Sequence, residues 1–234
     1  MNQNYIKIYS ILISIFVVML VLTNIVGTKI FVLFANTFPE GFFGSPIALT
    51  AGIITYPITF LVTDVTSEIF GKKKANFMVI MGFFCSLISL IIISIVLELT
   101  PSEIWLSGSP YSNLKDMEMA FKTVFTLPGI LIFASMTAYL VAQLIDIRIF
   151  HFVKKITNSK YLWLRNNIST MFSQLIDTVI VNTIFLGFGM GLDFNTVIKI
   201  IIANYLIKLI FALIDTPLVY IVVNIIRNKY SINN

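Results

Sequence analysis

Five acids stand at helical spacing inside stretches that are otherwise apolar. Asp64 and Glu68 are four residues apart, so they share one helix face, and Phe60 and Tyr56 continue the row. Gln143 and Asp146, three apart, share a second face. Thr170, Ser173, Gln174 and Asp177 fall at offsets 0, 3, 4 and 7, which is one stripe. Asn204, Lys208 and Asp215, at offsets 0, 4 and 11, form another. A carboxylate accepts two hydrogen bonds side by side, and a guanine-like edge offers two donors in that arrangement. Gln143 or Gln174 suits a ring carbonyl, and Tyr56, Phe60 or Tyr139 suits stacking on a flat ring. Purines and other flat polar heterocycles fit equally well. A buried acid also carries a proton, so proton coupling and facilitated diffusion with trapping inside the cell both stay open.

The elements that hold these residues are membrane spans. The chain has 234 residues, 58% hydrophobic and 12% charged, with a mean hydropathy of +0.94. Soluble domains carry roughly 25% charged residues. A span needs about 20 mostly apolar residues, and six stretches qualify: 8–34, 47–69, 76–97, 126–150, 169–190 and 196–226. The expectation is an all-α integral membrane bundle of six transmembrane helices, one transporter-like domain over 1–234. The first apolar run is too long for a signal-peptide core and reads as the first helix.

Charge sets the topology. Eleven of the sixteen lysines and arginines fall on one side of these spans, two on the other and three within them. The bias places both termini and the 70–75 and 148–168 loops in the cytoplasm, with Ser45 and Tyr111 outside. The net charge of +5 is spent on these loops, so no direct nucleic-acid partner is expected. Gly71 ends the second helix and Asn76 begins the third, which makes them antiparallel neighbours. The third span, with only Cys85 and serines in its middle, reads as a peripheral scaffold. In the outer loop, Met117, Ala120, Phe121 and Val124 recur at 3–4 spacing and predict an amphipathic surface helix, with a lid as the sharper reading. Pro57 and Pro217 are expected to free backbone carbonyls within their spans. The tetrapeptide Gln-Leu-Ile-Asp at 143–146 and 174–177 allows inverted three-helix halves, although nothing else aligns.

An acid at the bilayer centre costs about 2.5–3.5 kcal/mol. Aspartates at 64, 146, 177 and 215 are therefore expected to line or support one wet cavity, or else to be held by a lysine or hydroxyl. Asn24 and Asn204 also suit interhelical glue worth about 0.6 kcal/mol each. Lys208 and Asp215 are too far apart along one helix to pair, so each is expected to face another span. Arg165 is expected to pair with Asp146 or Asp177, or to act as a positive-inside anchor, while Ser169 and Thr170 are candidate N-caps. The lone Cys85 excludes an internal disulfide, and there is no CxxC or His/Cys cluster, so no cofactor or metal is expected. There is no HExxH or GxSxG and only one histidine, His151, so an enzyme is not expected either.

YPITFLVTDVTSEIFGKKK at 56–74, ASMTAYLVAQLID at 134–146, WLRNNIST at 163–170 with SQLIDT at 173–178, and ALIDTPLVY at 212–220 together resemble the queuosine precursor transporter family, also called the putative vitamin uptake transporter family. The matches run in order from the second span to the sixth. The resemblance implies a multi-pass protein of the cytoplasmic (inner) membrane that imports queuine or another 7-deazaguanine for tRNA modification. The alternative is the substrate-capture subunit of an ATPase-driven uptake system for a vitamin-like heterocycle. In either case the candidate substrate-binding residues are Tyr56, Phe60, Asp64, Glu68, Gln143, Asp146, Gln174, Asp177, Lys208 and Asp215, with Arg165 and Asn166 at a cytoplasmic mouth. The expected partners are the heterocycle and the bilayer, with self-association left open.

Overall fold

The computed structural model describes residues 3–27, 29–33, 47–126 and 129–230. Among the described residues six helices are long and apolar enough to cross a membrane, as the hydropathy pattern requires. Helix α1 spans Gln3–Val26 and buries Ile8, Leu12, Phe16 and Leu20, spaced four apart on one face. The apolar run then leaves the helix. Strand β1, Ile30–Leu33, pairs antiparallel with β2, Ile47–Thr50, Ile30 standing opposite Thr50. The first and second spans are therefore shorter than the 8–34 and 47–69 read from hydropathy. Ser45 lies outside the described residues.

A single 3-10 turn, Ala51–Ile54, leads into α2, Tyr56–Phe70. Pro57 falls in the first turn of α2, where no intrahelical N–H is required. The expected mid-span break at Pro57 is thus absent. Pro217, in contrast, lies inside its helix. Helix α2 is the centre of the bundle: from Thr59 onward nearly every residue is buried, and it touches α1, α3, α5 and α7. Thr59, Thr63, Thr66 and Ser67 make that possible, because small side chains let helix backbones approach. Thr63 returns its hydroxyl to the Thr59 carbonyl at 2.7 Å, so its polarity costs little.

Gly71 links α2 directly to α3, Lys72–Leu97, with φ of 79°, a left-handed conformation that favours glycine. The three lysines thus form the first turn of α3, which begins four residues before Asn76. Helix α3 leaves Ile88, Ile91, Ile92 and Ile95 exposed, as a lipid-facing scaffold would. The amphipathic helix of the outer loop is present as α4, Leu114–Phe125, with Asn113 accepting the Asp116 amide at 2.8 Å.

Helix α5, Gly129–Ile156, returns to the end that carries the termini. A turn with left-handed Asn158, Ser159 and Tyr161 starts α6, Leu162–Asn182, which runs on into a π-helical turn, Thr183–Gly189. Ser169 and Thr170 therefore lie well inside α6 and are not N-caps. The first turn of α6 is held instead by α7, because the Trp163 amide donates to the Tyr220 hydroxyl at 3.0 Å. Helix α7 is Phe194–Tyr230, opened by Asp193, whose carboxylate accepts the Thr196 amide at 3.0 Å. Hydrogen bonding from the Thr196 side chain, and then from its amide, holds the Asp193 carboxyl below the usual range.

Candidate functional site

Between α1, α2, α5, α6 and α7 lies a cavity of about 520 Å³, within the 300–1,000 Å³ usual for small-molecule sites. Its walls come from the second half of α1, the first turns of α2 and α5, and the parts of α6 and α7 farthest from the termini. It therefore occupies the half of the bundle nearer the β-hairpin. Six candidates from the sequence line it: Tyr56, Phe60, Gln174, Asp177, Lys208 and Asp215.

Asp177 is held on both oxygens. Tyr56 donates its hydroxyl to Oδ1 at 2.9 Å, and Lys208 donates Nζ to Oδ2 at 2.6 Å. Lys208 also lies 5.4 Å from the Tyr56 ring centroid, a cation–π contact. The lysine thus finds its partner on α6, another span, as its spacing from Asp215 required. Tyr56 and Phe60 meet edge to face at 5.2 Å, giving the cavity an aromatic corner. Tyr139 adds its ring to the wall while its hydroxyl is committed to the Val79 carbonyl at 3.0 Å. Gln174 Oε1 and Asp215 Oδ2 accept no hydrogen bond from the described residues.

Three candidates lie behind this wall and are fully buried: Asp64, Gln143 and Asp146. Thr170 donates to Asp64 Oδ2 at 3.4 Å, Ser173 donates to Asp146 Oδ1 at 2.9 Å, and Gln143 reaches Thr59 at 3.5 Å. The polar stripe of α6 thus serves two layers, with Gln174 and Asp177 facing the cavity and Ser173 facing the buried acids.

Glu68 and Arg165 are elsewhere, at the end that carries the termini. Glu68 Oε2 meets Arg165 at 2.6 Å and Lys154 at 2.9 Å, while Oε1 meets Arg227 at 2.6 Å. Arg165 therefore pairs with Glu68, and neither Asp146 nor Asp177 is its partner. Spacing within a span could not show this, because the four charges come from α2, α5, α6 and α7. Arg165 also donates to the Ser159 and Lys160 carbonyls, at 3.0 and 3.3 Å, satisfying the left-handed turn before α6. Asn166 bonds Thr216 of α7 at 3.3 Å.

Sequence reasoning passed over Thr178 and Asn182, which also line the cavity. They continue the row Thr170–Gln174 at intervals of four, and that spacing was the available signal. Among the described residues no group of His, Cys, Asp and Glu is arranged to hold a metal. The arrangement can hydrogen-bond and stack a flat polar ring in a pocket walled by both charged and apolar groups.

The family described as "Putative vitamin uptake transporter" matches residues 50–222. A Bacillus subtilis protein named "Probable queuosine precursor transporter" is 30% identical over 184 residues, covering 78% of this chain and 75% of that protein. A Haemophilus influenzae protein of the same name is 28% identical, covering 56% of this chain and 49% of that protein. The Escherichia coli "Queuosine precursor transporter" is 28% identical, covering 56% of this chain and 52% of that protein. No solved structure matches the chain.

Proposed function

Because the chain belongs to the putative vitamin uptake transporter family, we propose that it imports queuosine precursors, queuine or another 7-deazaguanine, across the cytoplasmic membrane for tRNA modification. The names of its relatives supply the substrate class. They give no support to a capture subunit driven by an ATPase. The observation that carries the reading is the cavity, where an aromatic corner adjoins two acceptors, on Gln174 and Asp215, that have no donor among the described residues. The ring stacks on Tyr56 and Phe60, and its N–H groups turn to Asp215 and Gln174. Asp177, neutralised by Lys208, supplies a further acceptor as the pair loosens. The substrate leaves as it entered, with no bond made or broken.

The basic end is cytoplasmic in this reading, on the strength of the lysine and arginine bias. The cavity then belongs to the outer half, and the Glu68 cluster closes the inner end. The test is queuosine in the tRNA of a host unable to make the precursors, supplied with queuine or its 7-aminomethyl precursor. Queuosine should appear only when this protein is expressed. No difference between expressing and empty cells, with the protein present in the membrane, refutes the proposal.

A further inference from the structure

Beneath the cavity the charges do not balance. Among the described residues, the buried ion pairs give Glu68 three cations and Asp177 one. Asp64, Asp146 and Asp215 receive none. Thr170 and Ser173, three residues apart on α6, bring Asp64 of α2 and Asp146 of α5 to neighbouring places on one helix face, and both acids are wholly buried. Each carboxyl has one oxygen held by an α6 hydroxyl, from Thr170 and Ser173. The remaining oxygens, Asp64 Oδ1 and Asp146 Oδ2, accept no hydrogen bond from the described residues. Two ionised carboxylates in contact, both desolvated, repel strongly. One proton between them removes a charge and supplies the donor that both oxygens lack.

We propose that Asp64 and Asp146 form a proton-binding site that couples substrate import to proton entry. The coupling role rests on the transport reading above, whereas the site itself rests on the carboxyl pair.

The position of the pair suits coupling. Thr170 lines the cavity and holds Asp64, so a hydroxyl connects the pair to the cavity. Asp215 of α7 lines the same cavity. One turn below Asp64 on α2 is Glu68, bound by Lys154, Arg165 and Arg227. Tyr56 and Tyr139 stand above, in the cavity wall. From α6 come the hydroxyls of Ser169, Thr170 and Ser173. A proton arriving through the cavity binds the carboxyl pair and lets α2 and α5 close together. When the cytoplasmic end opens, the same proton leaves to that side and the two carboxylates again repel. One proton crosses with each substrate.

Two measurements decide this. The first is infrared spectroscopy of the protein in lipid at neutral pH, with no substrate. A carboxylic-acid carbonyl band sensitive to deuterium should be present and should vanish in Asp64→Asn and in Asp146→Asn. Its absence from the parent protein overturns the site. The second uses the purified protein in liposomes with the membrane potential clamped. Labelled queuine should accumulate roughly tenfold for each pH unit of acid outside, the limit for one proton per substrate with the potential clamped. Both variants should still exchange labelled for unlabelled queuine yet lose that accumulation. Exchange without any proton-driven accumulation in the parent, or accumulation driven by sodium instead, overturns the coupling. A carbonyl band that behaves as stated, in a protein that exchanges no 7-deazaguanine, refutes the substrate and leaves the proton site standing.

Discussion

Replacing Glu68 by glutamine removes an anion that meets three cations. The four side chains differ sharply in exposure, with Glu68 at 3% and Arg165 at 2%, against 24% for Lys154 and 30% for Arg227. An exposed pair contributes about 0–1 kcal/mol, whereas breaking a buried pair by removing one partner costs about 3–5 kcal/mol. Glu68→Gln strands Arg165 in the interior and should fall in the second class, as should Arg165→Gln, although Lys154 and Arg227 then still serve Glu68. Lys154→Gln and Arg227→Gln should each cost about 1 kcal/mol or less. For a chain of this size each kcal/mol shifts Tm by about 2–4 °C, so Glu68→Gln should melt roughly 6–20 °C below the parent protein. The assay is thermal unfolding of the purified variants in one detergent. A Glu68→Gln variant as stable as Lys154→Gln would show that the buried geometry of the cluster contributes nothing, and the reasoning fails. The same variant should also make the inner end easier to open, so a cysteine at Ser169, buried above the cluster, should react faster with a reagent added from the cytoplasmic side.

Three other outcomes follow from the same structure. Asp177→Asn replaces an acceptor by a donor opposite the Tyr56 hydroxyl and Lys208, at a cost of about 1–3 kcal/mol, so apparent affinity in a queuine uptake assay should fall roughly 5- to 150-fold. Parent-like uptake by this variant would move the substrate site elsewhere. A Cβ at Gly82 would stand 2.5 Å from the Phe16 ring and 3.1 Å from the Tyr139 hydroxyl. Gly82→Val should therefore lose about 1–3 kcal/mol by overpacking α1, α3 and α5, and an unchanged melting temperature would contradict that packing. Cysteine labelling should find Tyr111 outside and Lys73 and Lys160 inside; labelling of a cysteine at 160 from outside would invert the topology.

The bundle was legible in the sequence because spanning helices need long apolar runs, and little else produces them. The hairpin was not legible. Ile30–Leu33 is apolar at every position, so neither a period of 3.6 nor a period of 2 can be read from it. It looked like more of α1. The polar stripes were legible as faces, and the faces named six of the cavity residues. They could not say which acid meets the cavity, which lies behind it and which meets a cation, because those depend on how helices rotate against one another. Arg165 shows this best: its partner Glu68 is 97 positions away in the sequence and on another helix. The reading of Ser169 and Thr170 as caps failed for a related reason. Hydroxyls that would mark a helix start in water serve inside a membrane as donors to buried acids.

The charge partners in this bundle also arrive in a fixed order during synthesis. Glu68 is made long before Lys154 and Arg165, and Arg227 comes later still. Asp177 likewise precedes Lys208, its only cation among the described residues. Until α7 is inserted, α6 carries an unneutralised aspartate whose place in the bilayer costs about 2.5–3.5 kcal/mol. A ribosome that stalls between α6 and α7 therefore leaves in the membrane a helix that is poorly tolerated there. The completed chain offsets that cost with one lysine, Lys208.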